Sequence, residues 1–89
     1  MRAIVTVVGH DKVGIIAGVC TLLAQLNINI MDISQTVMQE LFTMTMLVDM
    51  SKCTQPYGEV SAALASKGEE MGLSIRIQRE DIFHAMHRI

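Results

Sequence analysis

Three groups of side chains in this 89-residue sequence have types and spacing that bear on chemistry. The first is the run Gly9-His10-Asp11-Lys12-Val13-Gly14-Ile15-Ile16. It sets a carboxylate beside an imidazole, and such a neighbour tunes a histidine's basicity for general-base work. The same run joins a β-branched segment to a helix-like one. Its small residues therefore feed a helix N-terminus, where free N–H groups and the helix dipole both favour an anion. The plainer account is a tight strand-to-helix connection, with Gly9 bending the chain and Asp11 capping the helix. The second group is His84 and His87, three residues apart on an expected terminal helix and able to reach one ion. No third ligand stands at a matching spacing, so no metal site is expected. The third is Cys20 and Cys53, one on the expected core face of a helix and one in a loop. Cysteines in such unlike settings read as free thiols of a reducing compartment.

A scaffold must position these groups, and the apolar periodicity describes one. Residues 2–8 (Ala3, Val5, Val7 and Ile4, Val8) are apolar on both faces, as a strand inside a sheet would be. Val13, Ile16, Val19, Cys20, Leu23 and Leu26 then recur at helical spacing, predicting a helix over about 12–26. A second strand over about 28–38 changes parity. Ile28 and Ile30 mark one phase, whereas Ile33, Gln35 and Val37 mark the other, which predicts a bulge near Met31-Asp32 and an edge position. After a turn at Gln39-Glu40, alternation over 41–50 predicts a central strand carrying Phe42, Met44, Met46, Val48 and Met50 on one face. A helix over about 56–71 starts near Pro56, with Thr54 or Gln55 as its cap, and stops at Gly72. Gly68 inside it reads as a weak spot of about 1 kcal/mol relative to alanine. The last strand, 73–79, alternates apolar and polar residues as an edge strand does, and Asp81 could cap a short helix over 82–88.

The order is βαββαβ plus a terminal helix in a single domain, 1–89. This is an α+β, ferredoxin-like sandwich with strands one and three in the middle. The chain is 51% hydrophobic, more apolar surface than one small core readily hides, so a second copy is the expected remedy and a homodimer the expected state. A net charge of −2 argues against nucleic acid as a partner. No apolar run is long enough to span a bilayer and no small-residue cleavage site follows Arg2, so membrane partners and export are not expected. The expectation is a cytoplasmic protein.

The fold hosts many functions, so the site must choose among them. An RNA-recognition module needs stacking aromatics on strands one and three, and only Phe42 lies there. A copper-carrying module needs paired cysteines in the first loop, which this loop lacks. An acylphosphatase-like enzyme wants an arginine cradle, and the loop has only Lys12. No nucleophile accompanies His10 by spacing, and Met44, Met46 and Met50 read as core or interface rather than a cofactor box. Neither catalytic residues nor a cofactor is expected.

The segment Asp11-Lys12-Val13-Gly14-Ile15-Ile16-Ala17, followed by Asn27-Ile28-Asn29-Ile30, resembles the ACT-domain signature. That signature has Asp or Asn, any residue, Pro-Gly and an apolar residue before the first helix, and Asn-Ile opening the second strand. With Asp32-Ile33-Ser34-Gln35-Thr36 and the terminal Asp81–Ile89 run, the whole length resembles small stand-alone ACT proteins of bacteria and archaea. The resemblance implies a dimerising regulatory module that binds an amino acid or similar metabolite between subunits. Carried over, it assigns Asp11, Gly14, Ile15 and Ile16 to the loop side of the site and Asn29 with Ile30 to the strand side. The chemistry agrees, because a ligand carboxylate can take loop amides while Asn29 offers a donor and an acceptor. Two departures stand out: Val13 replaces the usual Pro, and Asp11 puts a negative charge where serine-sensing relatives carry Asn. The expected partners are a second copy, a small metabolite and a regulated protein. The alternatives are a ligand-free interaction module that pairs through its apolar sheet face, and a small enzyme using His10 and Asp11.

Overall fold

The protein is described by a computed structural model covering residues 1–10 and 12–80. Asp11 and residues 81–89 lie outside the described residues, and with them the expected helix 82–88, the pair His84 and His87, and the expected capping carboxylate. Six elements follow in the order β1 (Arg2–His10), α1 (Ile15–Gln25), β2 (Asn29–Met38), β3 (Leu41–Asp49), α2 (Tyr57–Met71) and β4 (Ser74–Arg79). The strands form one antiparallel sheet in the order β2-β3-β1-β4. The apolar strands are central and the half-polar ones at the edges, as the ferredoxin-like expectation has it.

Alternation makes the core. Ala3, Val5 and Val7 of β1, Phe42, Met44, Met46 and Val48 of β3, and Ile75 and Ile77 of β4 are buried on the face that meets the helices. The helices answer with Ile15, Val19, Leu23 and Leu26, and with Val60, Leu64 and Gly68. The parity change in β2 is a β-bulge: the register with β3 shifts between Ile30 and Asp32. Downstream of it, Ile33 and Val37 pair with Met46 and Phe42 and so face the helix side, yet they are 42% and 52% exposed. The helices stop short of covering the β2 edge.

Several local expectations are corrected. α1 begins at Ile15 rather than Lys12, and its N-cap is Gly14 in the left-handed region (φ 91°), with no side-chain cap bond. Val13 therefore lies in a turn outside the helix and is fully exposed, and Ile16 falls on the flank beside the buried Ile15. Gly9 does not bend the chain. It lies within β1 opposite Phe42, where a Cβ would collide with Leu73 Cδ2. Pro56 is itself the N-cap of α2 (φ −60°, ψ 150°), with no cap bond from Thr54 or Gln55. Gly68 is no weak spot. It shares the buried row with Val60 and Leu64, and a Cβ there would lie 2.7 Å from Leu73 O.

Both helices end in the same way. Asn27 (φ 58°) and Gly72 (φ 71°) turn left-handed. Asn27 N–H donates to Ala24 O (3.1 Å) and Ile28 N–H to Leu23 O (2.9 Å). Gly72 N–H donates to Glu69 O (3.2 Å) and Leu73 N–H to Gly68 O (2.7 Å). Each is a Schellman motif, which satisfies last-turn carbonyls and aims the chain back into the sheet. The first of these motifs places Asn29 at the start of β2.

Candidate functional site

The loop side of the site is built by the end of β1 and the start of α1. Gly14's positive φ swings the chain into the helix, and its carbonyl accepts the first helical bond, from Gly18 N–H at 2.9 Å. The amides of Ile15, Ile16 and Ala17 precede that bond, and the first N–H groups of any helix have no partner within it. Ile15 is buried and anchors the loop, whereas Ile16 is 40% exposed. Together with Lys12, Ala17 and Phe42, residues Gly14–Ile16 line a cavity of about 190 Å³. Lys12 Nζ donates to Met71 O at the end of α2. Asp11 lies outside the described residues.

The strand side is a separate place. Asn29 is exposed at the start of β2, next to Ile30, which packs against the core. Asn27, Ile28, Asn29, Asp49, Ser51 and Lys52 line a cavity of about 350 Å³. Asp49 Oδ1 accepts the Ser51 N–H at 2.9 Å. That bond, with a further one from the Ser51 side chain, holds the Asp49 carboxyl below the usual carboxylate range. Polar groups of both signs, the Asp49 carboxylate, the Lys52 ammonium, the Ser51 hydroxyl and the Asn27 amide, thus share this cavity with Asn29.

The register shows how far apart these halves are. Asn29 pairs with Asp49, which pairs with Arg2 at the start of β1, whereas the loop follows His10 at its end, opposite Leu41. Eight residue steps at about 3.3 Å each put the two groups about 26 Å apart, at opposite ends of the sheet. The structure brings Gly14, Ile15 and Ile16 together, and Asn29 with Ile30, but one chain does not unite the two sets. The sequence reading missed Asp49, Ser51 and Lys52 around Asn29, and Phe42 and Ala17 in the loop cavity. For the first group a signal existed, since counting back along the two strands joined at Gln39-Glu40 places Asn29 opposite residue 49 or 50.

Other candidate groups stay apart. His10 is exposed at the end of β1. Cys20 and Cys53 are free and half-buried. Among the described residues no three His, Cys, Asp or Glu side chains gather as metal ligands do, and no helix is long and apolar enough to cross a membrane.

Comparison with known proteins agrees with this architecture. The ACT domain family profile matches residues 2–78. A UPF0237 protein of Listeria monocytogenes is 56% identical over 89 residues, covering all of both chains. An ACT domain protein from Streptococcus pneumoniae superposes with a TM-score of 0.83 at 44% identity, over 93% of each chain. The regulatory subunit of aspartate kinase from Thermus thermophilus, in a ligand-free form, superposes with a TM-score of 0.67 at 25% identity, over 86% of this chain and 50% of that one. With its sheet order, its bulged second strand and its glycine-capped first helix, the chain belongs to the ACT domain family.

Proposed function

We propose that the protein is a regulatory, ligand-binding module without catalysis of its own. It works as a cytoplasmic homodimer that holds a small amino acid or similar metabolite in a cleft shared by two copies. Asp11, Gly14, Ile15 and Ile16 of one copy form one wall, and Asn29 with Ile30 of the other form the opposite wall. The separation of those two sets at opposite ends of one sheet carries this reading. Among the described residues β2 is an edge strand with no strand on its outer side, flanked by exposed Ile33, Val37 and Met38. Edges of this kind invite pairing with another strand. If two β2 strands pair antiparallel across a two-fold axis, Asn29 of one copy lies beside Met38 of the other. Met38 is the end of β2 that pairs with Leu41, next to His10 and the loop. The pairing builds two equivalent clefts, each with one loop and one Asn29.

A ligand carboxylate then takes the amides at the start of α1, and the Asn29 amide takes the other polar end. Binding favours the dimer arrangement in which both walls are in reach, a population shift set by differential affinity. A regulated partner reads that shift. The likeness to the regulatory subunit of aspartate kinase supports the reading.

The test is a thermal-shift screen of the purified protein against amino acids. A ligand at 100 times its dissociation constant adds about 2.7 kcal/mol, enough to raise the midpoint by several degrees. The hit should vanish in Asn29→Ala while light scattering still finds a dimer. A flat screen, or a hit that Asn29→Ala leaves unchanged, rejects the shared cleft and turns the search to the ligand-free interaction module that the exposed β2 edge also favours.

A further inference from the structure

We propose that Lys12 is a positioning residue that ties the start of α1 to the α2–β4 corner, so that the order of one is passed to the other. Of the last four carbonyls of α2, Gly68 O accepts Leu73 N–H and Glu69 O accepts Gly72 N–H. Met71 O accepts neither of these. It is taken by Lys12 Nζ, from 59 residues earlier in the sequence. An ammonium there satisfies an orphan carbonyl and meets the negative end of the helix dipole. Among the described residues no other hydrogen bond joins the loop to α2.

The surroundings make this a corner rather than a chance touch. A Cβ on Gly18, the residue whose N–H makes the first helical bond of α1, would lie 3.0 Å from Met71 Cε. One on Gly72 would lie 3.5 Å from Lys12 Nζ. The start of α1, the end of α2 and the Lys12 side chain therefore meet at one point, and Lys12 also lines the loop cavity with Gly14, Ile15 and Ile16. The coupling extends the proposed function, resting on the reading that the loop is one wall of a ligand cleft. An occupant that steadies the loop then steadies the beginning of β4 as well, and a disturbance of α2 reaches the cleft.

Amide exchange followed by NMR on the whole chain tests the tie directly. Gly18, Gly72 and Leu73 are the reporters, since all three N–H groups are hydrogen-bonded. Lys12→Met should speed exchange at all three several-fold and leave Val5 and Val7 in the central strand unchanged. Lys12→Arg, which can donate to the same carbonyl, should restore the original rates. If Gly72 and Leu73 respond while Gly18 keeps its rate, or if Arg does not rescue, the tie is overturned. These measurements use no ligand, so they decide the matter even where the shared cleft itself fails its own screen. With glycine or L-serine as the probe, a compound that protects Gly18 should also protect Gly72 and Leu73, and Lys12→Met should abolish that remote protection. Protection confined to Gly18 overturns the coupling and leaves the ligand reading standing.

Discussion

Gly68 shows how much a single missing side chain can decide. Helix propensity alone favours alanine there by about 1 kcal/mol. The structure reverses that preference, because a Cβ would sit 2.7 Å from Leu73 O and 3.2 Å from both Ile75 Cγ1 and Ile75 N. Two of these are main-chain atoms, fixed by the Schellman motif and the start of β4. Gly68→Ala should therefore lower stability by about 1–3 kcal/mol, the usual cost of overpacking. Gly9→Ala should cost less, since its nearest obstacle is Leu73 Cδ2, the tip of a side chain that can turn away. Thermal midpoints of the two variants check the order; at about 4–8 °C per kcal/mol for a domain of this size the difference is readable. A Gly68→Ala protein as stable as the parent would mean that α2 can lift off β4 without loss. None of this could be read in the sequence. Gly68 and Leu73 are only five residues apart, but what makes the glycine necessary is the direction in which Gly72 turns the chain. Gly14 is similar: its residue type suggested a turn, but its left-handed φ, which moves the helix start to Ile15, belongs to the backbone.

At the scale of elements, patterns that repeat every two residues were the easiest to interpret. The parity change between Ile30 and Ile33 located the bulge because a slip of one residue exchanges the two faces of a strand. Helix starts were harder, since Lys12 and Val13 suit a helix as well as a turn. The docking of α2 on β4 depends on a bond that no pattern announces: Tyr57 Oη donates to Ile77 O at 2.8 Å. Burial pushes the Tyr57 phenol up, with the charge of Arg79 opposing. Tyr57→Phe should lose about 1 kcal/mol at neutral pH, the net worth of an ordinary hydrogen bond, read as a lower urea midpoint at unchanged slope. The pH dependence follows from the raised value. The folded chain keeps its proton where the unfolded chain, with a phenol near 10, has begun to release it. The contribution of Tyr57 is thus constant below about pH 10 and declines as pH climbs toward the folded value. Tyr57→Phe should show a flatter alkaline limb; an identical limb in both proteins would place the phenol in water.

For the molecule as a whole, part of the excess of apolar residues lies on the open sheet face, where the register sets Ile4, Val8, Leu47, Leu41 and Met38. There Thr6, Val8, Thr43, Thr45 and Leu47 are half-buried. Besides Met1, the exposed apolar side chains are Val13 and Ile16 at the start of α1 and Met31, Ile33, Val37, Met38 and Leu41 along β2 and its turn into β3. Burying them against a second β2 edge fits the proposed dimer. Val37→Lys, which sets a charge on that edge, should convert dimer to monomer in light scattering while leaving the far-ultraviolet spectrum unchanged. A variant that stays dimeric would move the interface to another face. The candidate site was the least readable level of all. Loop and Asn29 were each recognisable by residue type, but only the strand register reveals that they stand at opposite ends of the sheet.

In the proposed dimer, that placement has a genetic consequence. Let one variant carry a ruined loop and another a ruined Asn29, so that each alone, as a homodimer, has no working cleft. In a mixed dimer, one cleft collects both defects and the other collects both intact walls. Two defective alleles expressed in the same cell would then restore one binding site in every hybrid molecule. Two defects on the same wall could never do so.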